Sequence, residues 1–298
     1  MNDLTHRPVV LDIDQSTGPL PDRLLLALEH WQESIRFGCS LAVMRRFGAM
    51  LDDMLPASYG TVFTGSGDFH HLSWPLIARL PSSAPALVRP VQVVVLDNHP
   101  DNMRFPFGVH CGSWVRRVAM LPNVSHVHVL GITSGDIGRA HAWENYLAPL
   151  HHGRLSYWSI GVDTGWSRTL GLSKAFRDFD SPAQLVDAFA ESQRAHTATS
   201  YLSIDKDVFA PEVARTNWDQ GVLQLDHALA LIGSLDGRLV GSDINGEVSH
   251  YRYRSWWKRR LSAMDEQPVI DPAQLFDWQA QQHALNLQLL AAIRACSG

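Results

Sequence analysis

Short apolar runs rich in β-branched residues alternate along this chain with longer segments of helical periodicity. Continuous apolar strands of this kind are typical of a parallel sheet that is buried on both faces. The alternation therefore predicts one three-layer α/β/α domain with a mostly parallel central sheet, covering residues 1–298. The predicted strands are Val9 to Ile13, Thr61 to Thr64, Val91 to Asp97, Ser125 to Gly131, Leu155 to Ile160, Tyr201 to Asp205 and Leu239 to Ile244.

Helices are predicted between most of these strands. One is expected from Pro21 to about Phe47, and the last from Pro272 to about Ala295. Ser181-Pro182 and Asp271-Pro272 look like helix starts, because a capping residue is followed by proline in the first turn.

Composition and charge narrow the class of protein. With 45% hydrophobic and 18% charged residues the chain is an ordinary globular protein, and a formal net charge of −5 gives no general attraction to nucleic acid or to an anionic membrane. Three cysteines are too few for a disulfide framework, and no uncharged apolar run is long enough to span a membrane. We therefore expect a cytoplasmic enzyme without a membrane or nucleic-acid partner.

The segment Tyr251 to Arg260, YRYRSWWKRR, is the one local exception, since it mixes cations with aromatic residues. Such a segment could bind a phosphate backbone by charge and stacking. The favoured interpretation is a surface element whose aromatic rings pack inward while the arginine and lysine stems cover apolar surface.

Aspartate, glutamate and histidine residues are concentrated after four predicted strands. Ligands of open α/β sheets bind in that region, beyond the carboxyl ends of the strands. The segments are GSGDFHH at 65–71, DNHPD at 97–101, SIDKD at 203–207 and DINGE at 243–247. Alternation along extended backbone puts Asp97, His99 and Asp101 on one side, does the same for Asp205 and Asp207, and turns Lys206 away to pair at the surface.

A lone D-x-D is more often a turn or a helix cap than a ligand set. Carboxylates converging at one sheet edge would repel one another, however, unless a cation lay between them. A mixed set of histidine and aspartate is the usual arrangement for a divalent metal ion.

These motifs and their order resemble those of the ureohydrolase superfamily, which contains arginase, agmatinase and formiminoglutamase. The family's G-G-D-H, D-x-H-x-D and S-x-D-x-D correspond to GSGDFHH, DNHPD and SIDKD, and the resemblance spans roughly residues 60–250. It implies an arginase/deacetylase-like fold and two divalent ions, with manganese expected. It also implies the metal ligands: Asp97 and Asp205 bridging the ions, His70 and Asp101 completing one site, His99 and Asp207 the other.

The same resemblance implies hydrolysis of a C–N bond in a small guanidino or amidino compound, with a hydroxide shared by the two ions as nucleophile. Asp101 or His110 would protonate the leaving amine. Glu247 would receive the guanidinium group; alternatively it caps a helix predicted over Ser249 to Met264. Members of the superfamily commonly form trimers or hexamers, so a homo-oligomer is compatible with the resemblance.

Several alternatives remain open at this point. GSGDFHH has one residue more than the family turn and offers two histidines, of which His70 is preferred and His71 is assigned to a supporting position. The turn at 216–221 is either a helix start capped by Asp219 or, through Trp218, a wall of the substrate pocket. The alternative function is a single-zinc deacetylase of the same fold acting on an acylated amine, against which the full set of second-site ligands argues.

Overall fold

A nine-stranded, entirely parallel sheet lies at the centre of the molecule, in the order β2-β1-β4-β11-β10-β5-β7-β8-β9. The computed structural model describes residues 7–80, 90–256, 258–260 and 270–297. Two short strands, β3 and β6, pair antiparallel outside this sheet. The strands are β1 Val9–Asp12, β2 Leu24–Ala27, β3 Gly38–Cys39, β4 Val62–Ser66, β5 Val91–Leu96, β6 Val109–His110, β7 Val124–Ile132, β8 Leu155–Ile160, β9 Phe176–Phe179, β10 Ser200–Asp205 and β11 Leu239–Glu247.

Helices cover both faces of the sheet. The α-helices are Gln32–Ile35, Leu41–Met54, Ser73–Ala78, Val115–Ala119, Ala148–His151, Pro182–Arg194, Leu225–Gly233 and Pro272–Cys296. Short 3₁₀ helices lie at Glu29–Trp31, Gly67–Leu72, Cys111–Ser113, Gly135–Ile137, Ala142–Glu144, Gly165–Leu170 and Lys206–Val208. None of the helices in the described part of the chain combines the length and the apolar character needed to cross a membrane.

Strand β5 shows why the sheet has a core on each side. Val93 and Val95 belong to the apolar cluster that includes the helices Leu41–Met54 and Val115–Ala119. Val94 and Leu96 belong to a second cluster, which includes the C-terminal helix Pro272–Cys296. All four side chains are fully buried, and each contributes about 1.5–3 kcal/mol of burial free energy.

The predicted three-layer fold is confirmed, and each of the seven predicted strands is present with ends shifted by at most three residues. The helix starts are also confirmed, since the Ser181 side chain accepts from the Gln184 amide and the Asp271 side chain from the Ala273 amide.

The helix predicted from Pro21 to Phe47 is wrong. Its first half contains strand β2, which extends the sheet by pairing with β1, and only short helical turns at Glu29–Trp31 and Gln32–Ile35 precede the long helix that begins at Leu41. Ser40 caps that helix by accepting from the Val43 amide. The run of leucines at 24–26 is compatible with either a helix or a strand. It forms a strand because β1 offers a free edge with which it can pair.

The described part of the basic and aromatic segment Tyr251 to Arg260 contacts the short helix Gln32–Ile35 and the residue that follows it. Glu33 accepts hydrogen bonds from the Tyr251 hydroxyl and from the amides of Arg254 and Ser255, while Lys258 Nζ donates to the carbonyls of Glu33 and Arg36. Residues 249–255 contain no helix, and residues 257 and 261–264 of the helix predicted over Ser249 to Met264 lie outside the described residues.

Candidate metal centre

The carboxyl ends of four adjacent strands, β4, β11, β10 and β5, meet at the middle of one sheet edge. The six residues expected to bind metal come from just beyond three of these strands. His70 lies in the 3₁₀ helix after β4, Asp97, His99 and Asp101 follow β5, and Asp205 and Asp207 end and follow β10. The structure brings all six together.

His70 stands at the centre of the first group. Its Nδ1 lies 2.9 Å from Asp101 Oδ2, 3.2 Å from Asp97 Oδ2 and 3.3 Å from Asp205 Oδ2. All four side chains are almost fully buried. Three carboxylate oxygens therefore surround one imidazole nitrogen.

His99 forms the second group with the other side of Asp97. Its Nδ1 lies 3.0 Å from Asp207 Oδ2 and 3.6 Å from Asp97 Oδ1. The ligand atoms of His70, Asp97 and Asp101 lie within 4.8 Å of one another, and so do those of Asp97, His99 and Asp207. Asp97 is common to both groups, with one oxygen facing each.

Local backbone hydrogen bonds hold these carboxylates in place. Asp97 Oδ1 accepts from the His99 amide, Asp205 Oδ1 accepts from the Asp207 amide, and Asp207 Oδ1 accepts from the Asn98 amide, at 2.7–3.1 Å. Alternate spacing explains the first two, because a carboxylate at one position reaches the amide two residues later, whereas the third joins the segment after β10 to the segment after β5. The same spacing thus both aims the side chains and fixes them.

Each histidine uses Nε2 for a hydrogen bond on the far side of its ring, so that Nδ1 is the nitrogen that faces the carboxylates. His70 Nε2 lies 3.1 Å from Ser203 Oγ, whose own hydrogen is donated to the buried Asp243 carboxylate at 2.8 Å. Ser203 therefore accepts from His70. His99 Nε2 lies 2.8 Å from Asp219 Oδ1, which can only accept. Although burial opposes this, the carboxylates raise the pKa of both rings well above the usual value: Asp101 and Asp97 act on His70, and Asp207 acts on His99. Because Nε2 is engaged in this way, Nδ1 is the nitrogen that could bind a metal ion.

The electrostatics of the cluster fit a bound cation. Burial and the neighbouring Asp97 carboxylate raise the pKa of Asp101 to about 7, and the same two causes raise the pKa of Asp207 to about 6. Burial and Asp207 also raise the pKa of Asp205 well above its usual value. The buried Asp97 Oδ2 has no well-aligned hydrogen bond. Crowded carboxylates and an unsatisfied oxygen are the donor set that divalent ions take.

The structure distinguishes the two consecutive histidines. His70 faces the carboxylates, whereas His71 is fully buried and does not line the cavity beside the cluster. Burial lowers the pKa of His71 well below its usual value.

His110 lines a cavity of about 240 Å³ together with cluster residues such as Asp101. Its Nδ1 accepts from the Gly112 amide at 3.1 Å, and burial lowers the pKa of His110 to about 4. The neutral ring therefore carries its hydrogen on Nε2.

The structure places Glu247 elsewhere than the sequence predicted. It is buried at the end of β11, does not line the cavity, and its Oε1 lies 2.7 Å from Lys206 Nζ. Asn286, from the C-terminal helix, contacts both partners: its Nδ2 donates to Glu247 at 2.6 Å and its Oδ1 accepts from Lys206 at 3.1 Å. Lys206 does turn away from the cluster, but its pairing at the surface was wrong, because it is fully buried.

Three cavity residues were missed or left open by the sequence. Trp218 and Asp219 line the cavity from an irregular turn, so Asp219 caps no helix there; the next helix begins at Leu225 after Gln224. Asp136 lines the cavity from the turn after β7 and was not singled out at all. Its position just beyond a strand end was the signal that could have found it.

Comparisons with known proteins agree with this architecture. No protein-family model matches the chain. An uncharacterized protein of Thermotoga maritima is 25% identical over 213 residues, which cover 71% of this chain and 67% of that protein.

Three solved structures superpose over nearly the whole chain. Proclavaminate amidino hydrolase from Streptomyces clavuligerus has a TM-score of 0.54 at 17% identity, and the superposition covers 99% of this chain and 95% of that protein. The agmatine ureohydrolase of Thermoplasma volcanium has a TM-score of 0.55 at 13% identity, with 98% and 91% covered. Formimidoylglutamase from Bacillus subtilis has a TM-score of 0.52 at 13% identity, with 97% and 86% covered. At these identities the similarity shows a shared fold, and it confirms the fold implied by the sequence motifs.

Proposed function

We propose that this chain, which has the fold of the ureohydrolases, is a hydrolase that uses two divalent metal ions, manganese in the first instance, to cleave a C–N bond of a guanidino or amidino compound. The observation that carries the proposal is the sharing of Asp97 between two ligand groups, each completed by its own histidine. A single-ion deacetylase would need only one of these groups. Two complete groups favour two ions.

The proposed ligands are the six residues of the cluster, with Asp97 positioned between the two histidines and Asp205 beside His70. Asp205 Oδ2 lies 3.3 Å from His70 Nδ1, and Asp205 Oδ1 accepts from the amide of Asp207 in the second group. When bound, two divalent ions activate water and stabilise the negative charge that develops during hydrolysis.

Three further residues, Trp114, Ser203 and Asp219, orient the side chains of this cluster. Trp114 Nε1 donates to Asp101 Oδ2 at 2.6 Å, which fixes that carboxylate although Asp101 has a left-handed backbone with φ of 46°. Ser203 and Asp219 hold the two imidazole rings in the tautomer that frees Nδ1. Hydrogen-bond partners of a metal-binding side chain commonly affect the metal affinity as well as the orientation of the ring.

His110 is the residue that we assign to proton transfer to the leaving amine. In the neutral ring Nε2 carries the hydrogen and Nδ1 accepts from the Gly112 amide. The ring stacks on Phe37 at a centroid distance of 5.8 Å and an interplanar angle of 12°, which restricts its motion. To act as a general acid the ring takes up a proton at Nδ1 in place of the Gly112 hydrogen bond. The imidazolium then gives its Nε2 hydrogen to the leaving amine and returns to the neutral form.

Metal stoichiometry and a substrate screen test the proposal together. Protein loaded with manganese should retain close to two ions per chain by elemental analysis, and should release urea or ammonia from at least one guanidino or amidino compound in a colorimetric screen. Asp97→Asn should lose both ions and the activity, whereas Asp187→Asn, at an exposed helix position outside the cavity, should keep both.

The screen should include acylated amines, so that the alternative is tested in the same assay. One zinc ion per chain, with hydrolysis of acyl-amines only, would replace the present proposal by a deacetylase.

A further inference from the structure

Asp243 is a buried carboxylate to which the proposed function gives no role. It is the first residue of the segment DINGE, and its side chain is 0% exposed within strand β11. None of the ion pairs found among the described residues includes it. An aspartate is almost never fully buried unless its charge is compensated. The position of Asp243 therefore calls for a physical reason.

Three hydroxyl groups donate hydrogen bonds to the Asp243 carboxylate. Ser73 Oγ and Ser203 Oγ lie 2.9 and 2.8 Å from its Oδ1, and the Tyr201 hydroxyl lies 2.7 Å from its Oδ2. Ser203 and Asp243 are directly paired in the register of β10 and β11. Gly241 leaves room for the Tyr201 ring, since a Cβ there would lie 2.9 Å from the ring's Cε2. These donors satisfy the oxygens of Asp243 but supply no positive charge.

Ser203 connects this carboxylate to His70. Its Oγ lies 3.1 Å from His70 Nε2, and it accepts from Nε2 because its own hydrogen is donated to Asp243. Imidazole, hydroxyl and carboxylate thus form a chain in which each group donates to the next. The other end of the imidazole, Nδ1, faces the carboxylates of the cluster at 2.9–3.3 Å.

A negative charge at the far end of this chain affects the nitrogen at the near end. The carboxylate holds the Ser203 hydrogen, Ser203 holds the hydrogen on Nε2, and the ring becomes a stronger electron donor at Nδ1. Partners of this kind fix the tautomer of a metal-binding histidine and raise its basicity. Burial raises the pKa of Asp243, and the nearby His70 opposes that rise. A cation bound beyond His70 would oppose it further.

We propose that Asp243 is a positioning residue of the metal centre, which acts through Ser203 to hold His70 in its metal-binding form and to balance part of the charge of a bound cation. The inference rests on the metal-binding part of the proposed function and not on the bond that is cleaved. The buried chain is particular to His70, because His99 Nε2 bonds directly to Asp219, whose side chain is 68% exposed.

Manganese affinity tests this role without turnover, by titration of the metal-free full-length chain in competition with a chelating fluorescent indicator. Asp243→Asn keeps the size of the side chain, removes its charge, and should weaken binding by about 10- to 100-fold. Ser203→Ala should weaken binding at least as much. The double variant should bind no more weakly than Ser203→Ala, because Asp243 acts only through Ser203. Tyr201→Phe is the matched control: it removes another donor to the same carboxylate and should leave the affinity unchanged.

Urea unfolding of the metal-free variants separates this role from a structural one. Since a buried uncompensated charge is removed, the urea midpoint of Asp243→Asn should stay unchanged or rise while its manganese affinity falls. A lower midpoint with parental affinity would make Asp243 a structural residue and overturn the proposal, as would additive losses in the double variant. If Asp243→Asn does not fold, Ser203→Ala decides the matter, because parental affinity in that variant also overturns the proposal.

The same variants distinguish this inference from the proposed function. If they weaken manganese binding as expected but no guanidino or amidino compound is hydrolysed, the proposed reaction fails and the role of Asp243 stands. If such a compound is hydrolysed and Asp243→Asn binds manganese as tightly as the parent, the role of Asp243 is overturned and the reaction stands.

Discussion

Replacing Glu247 by glutamine removes one charge from a buried ion pair adjacent to the carboxylate cluster. Lys206 and Glu247 have side-chain exposures of 0% and 2%, and their charged atoms are 2.7 Å apart. Burial lowers the pKa of Lys206, and Glu247 opposes that effect. The variant keeps the shape of the site but leaves a buried ammonium group without its counter-charge.

The expected loss in the free energy of unfolding is about 3 kcal/mol. Removing one member of a buried pair typically costs about 3–5 kcal/mol. The lower end applies, because Asn286 Oδ1 still accepts from Lys206 and the glutamine carbonyl can replace one carboxylate oxygen. Lys206→Met in the same background should recover part of the loss, with a coupling of about 1–3 kcal/mol, since it removes the unpaired charge.

The loss of stability in Glu247→Gln should depend on pH, and the direction of that dependence follows from the pKa of Lys206. In Glu247→Gln the folded-state pKa of Lys206 lies further below its unfolded value, so the unfolded chain binds more protons between the two pKa values. Stability of the variant relative to the parent should therefore rise as pH increases above 7 toward the unfolded lysine pKa of about 10.4.

Urea unfolding at pH 7 and pH 9, with metal content measured on the same samples, tests this reasoning. A variant with parental stability and full metal content but with hydrolysis abolished would refute it. That outcome would make Glu247 a substrate-binding residue, as the sequence motif alone predicts.

Three further predictions concern other parts of the molecule. His110→Ala should keep both metal ions by elemental analysis and lower kcat by about 10²–10⁴-fold, with partial recovery on adding imidazole; unchanged turnover would remove His110 from proton transfer. Asp205→Asn should reduce the metal content and kcat together, while an intact metal content would place the ligand role elsewhere. Burial lowers the pKa of His126 and lowers that of His128 well below its usual value, so stability should fall as pH drops below the unfolded histidine pKa of about 6.5. His128→Gln should flatten the loss between pH 6.5 and 5 by up to about 1.4 kcal/mol per pH unit, measured by urea unfolding, and an unchanged slope would contradict the assignment.

The cluster could be predicted from the sequence because its geometry is local. Asp97 and Asp101 lie in one five-residue segment after β5, and Asp205 and Asp207 in another at the end of β10, so each pair is close in sequence. Neither segment is extended throughout, because Asp101 has a φ of 46° and Asp207 lies in a 3₁₀ helix. Parallel strands then bring the two segments to one sheet edge, which a βα pattern already implies. His70 was expected beside them from the resemblance of its turn to the family's G-G-D-H motif.

Glu247 could not be placed in this way. The pairing of β11 with β4 shifts register on either side of Asn245, and Gly246 has a φ of 87°. These irregularities decide the direction of the following side chain, so simple alternation fails. Asn286, which donates a hydrogen bond to Glu247, comes from a helix far along the chain, and no sequence motif indicates this contact. Asp136 was missed for a different reason, since a single aspartate in a turn is usually a capping residue.

The last described helix also affects when the cluster can assemble during synthesis of the chain. All six cluster residues lie at or before Asp207, yet β11 lies between β4 and β10 in the sheet. Three amide side chains on one face of the helix Pro272–Cys296 then fasten the end of β11: Gln279 to Val248, Gln282 to Gly246 and Val248, and Asn286 to Glu247. A growing chain on the ribosome therefore holds every proposed ligand long before it can bring them together. Uptake of the proposed metal ions would then be a late event in biosynthesis, which follows the emergence of residues 279–286 and not the synthesis of the ligands themselves.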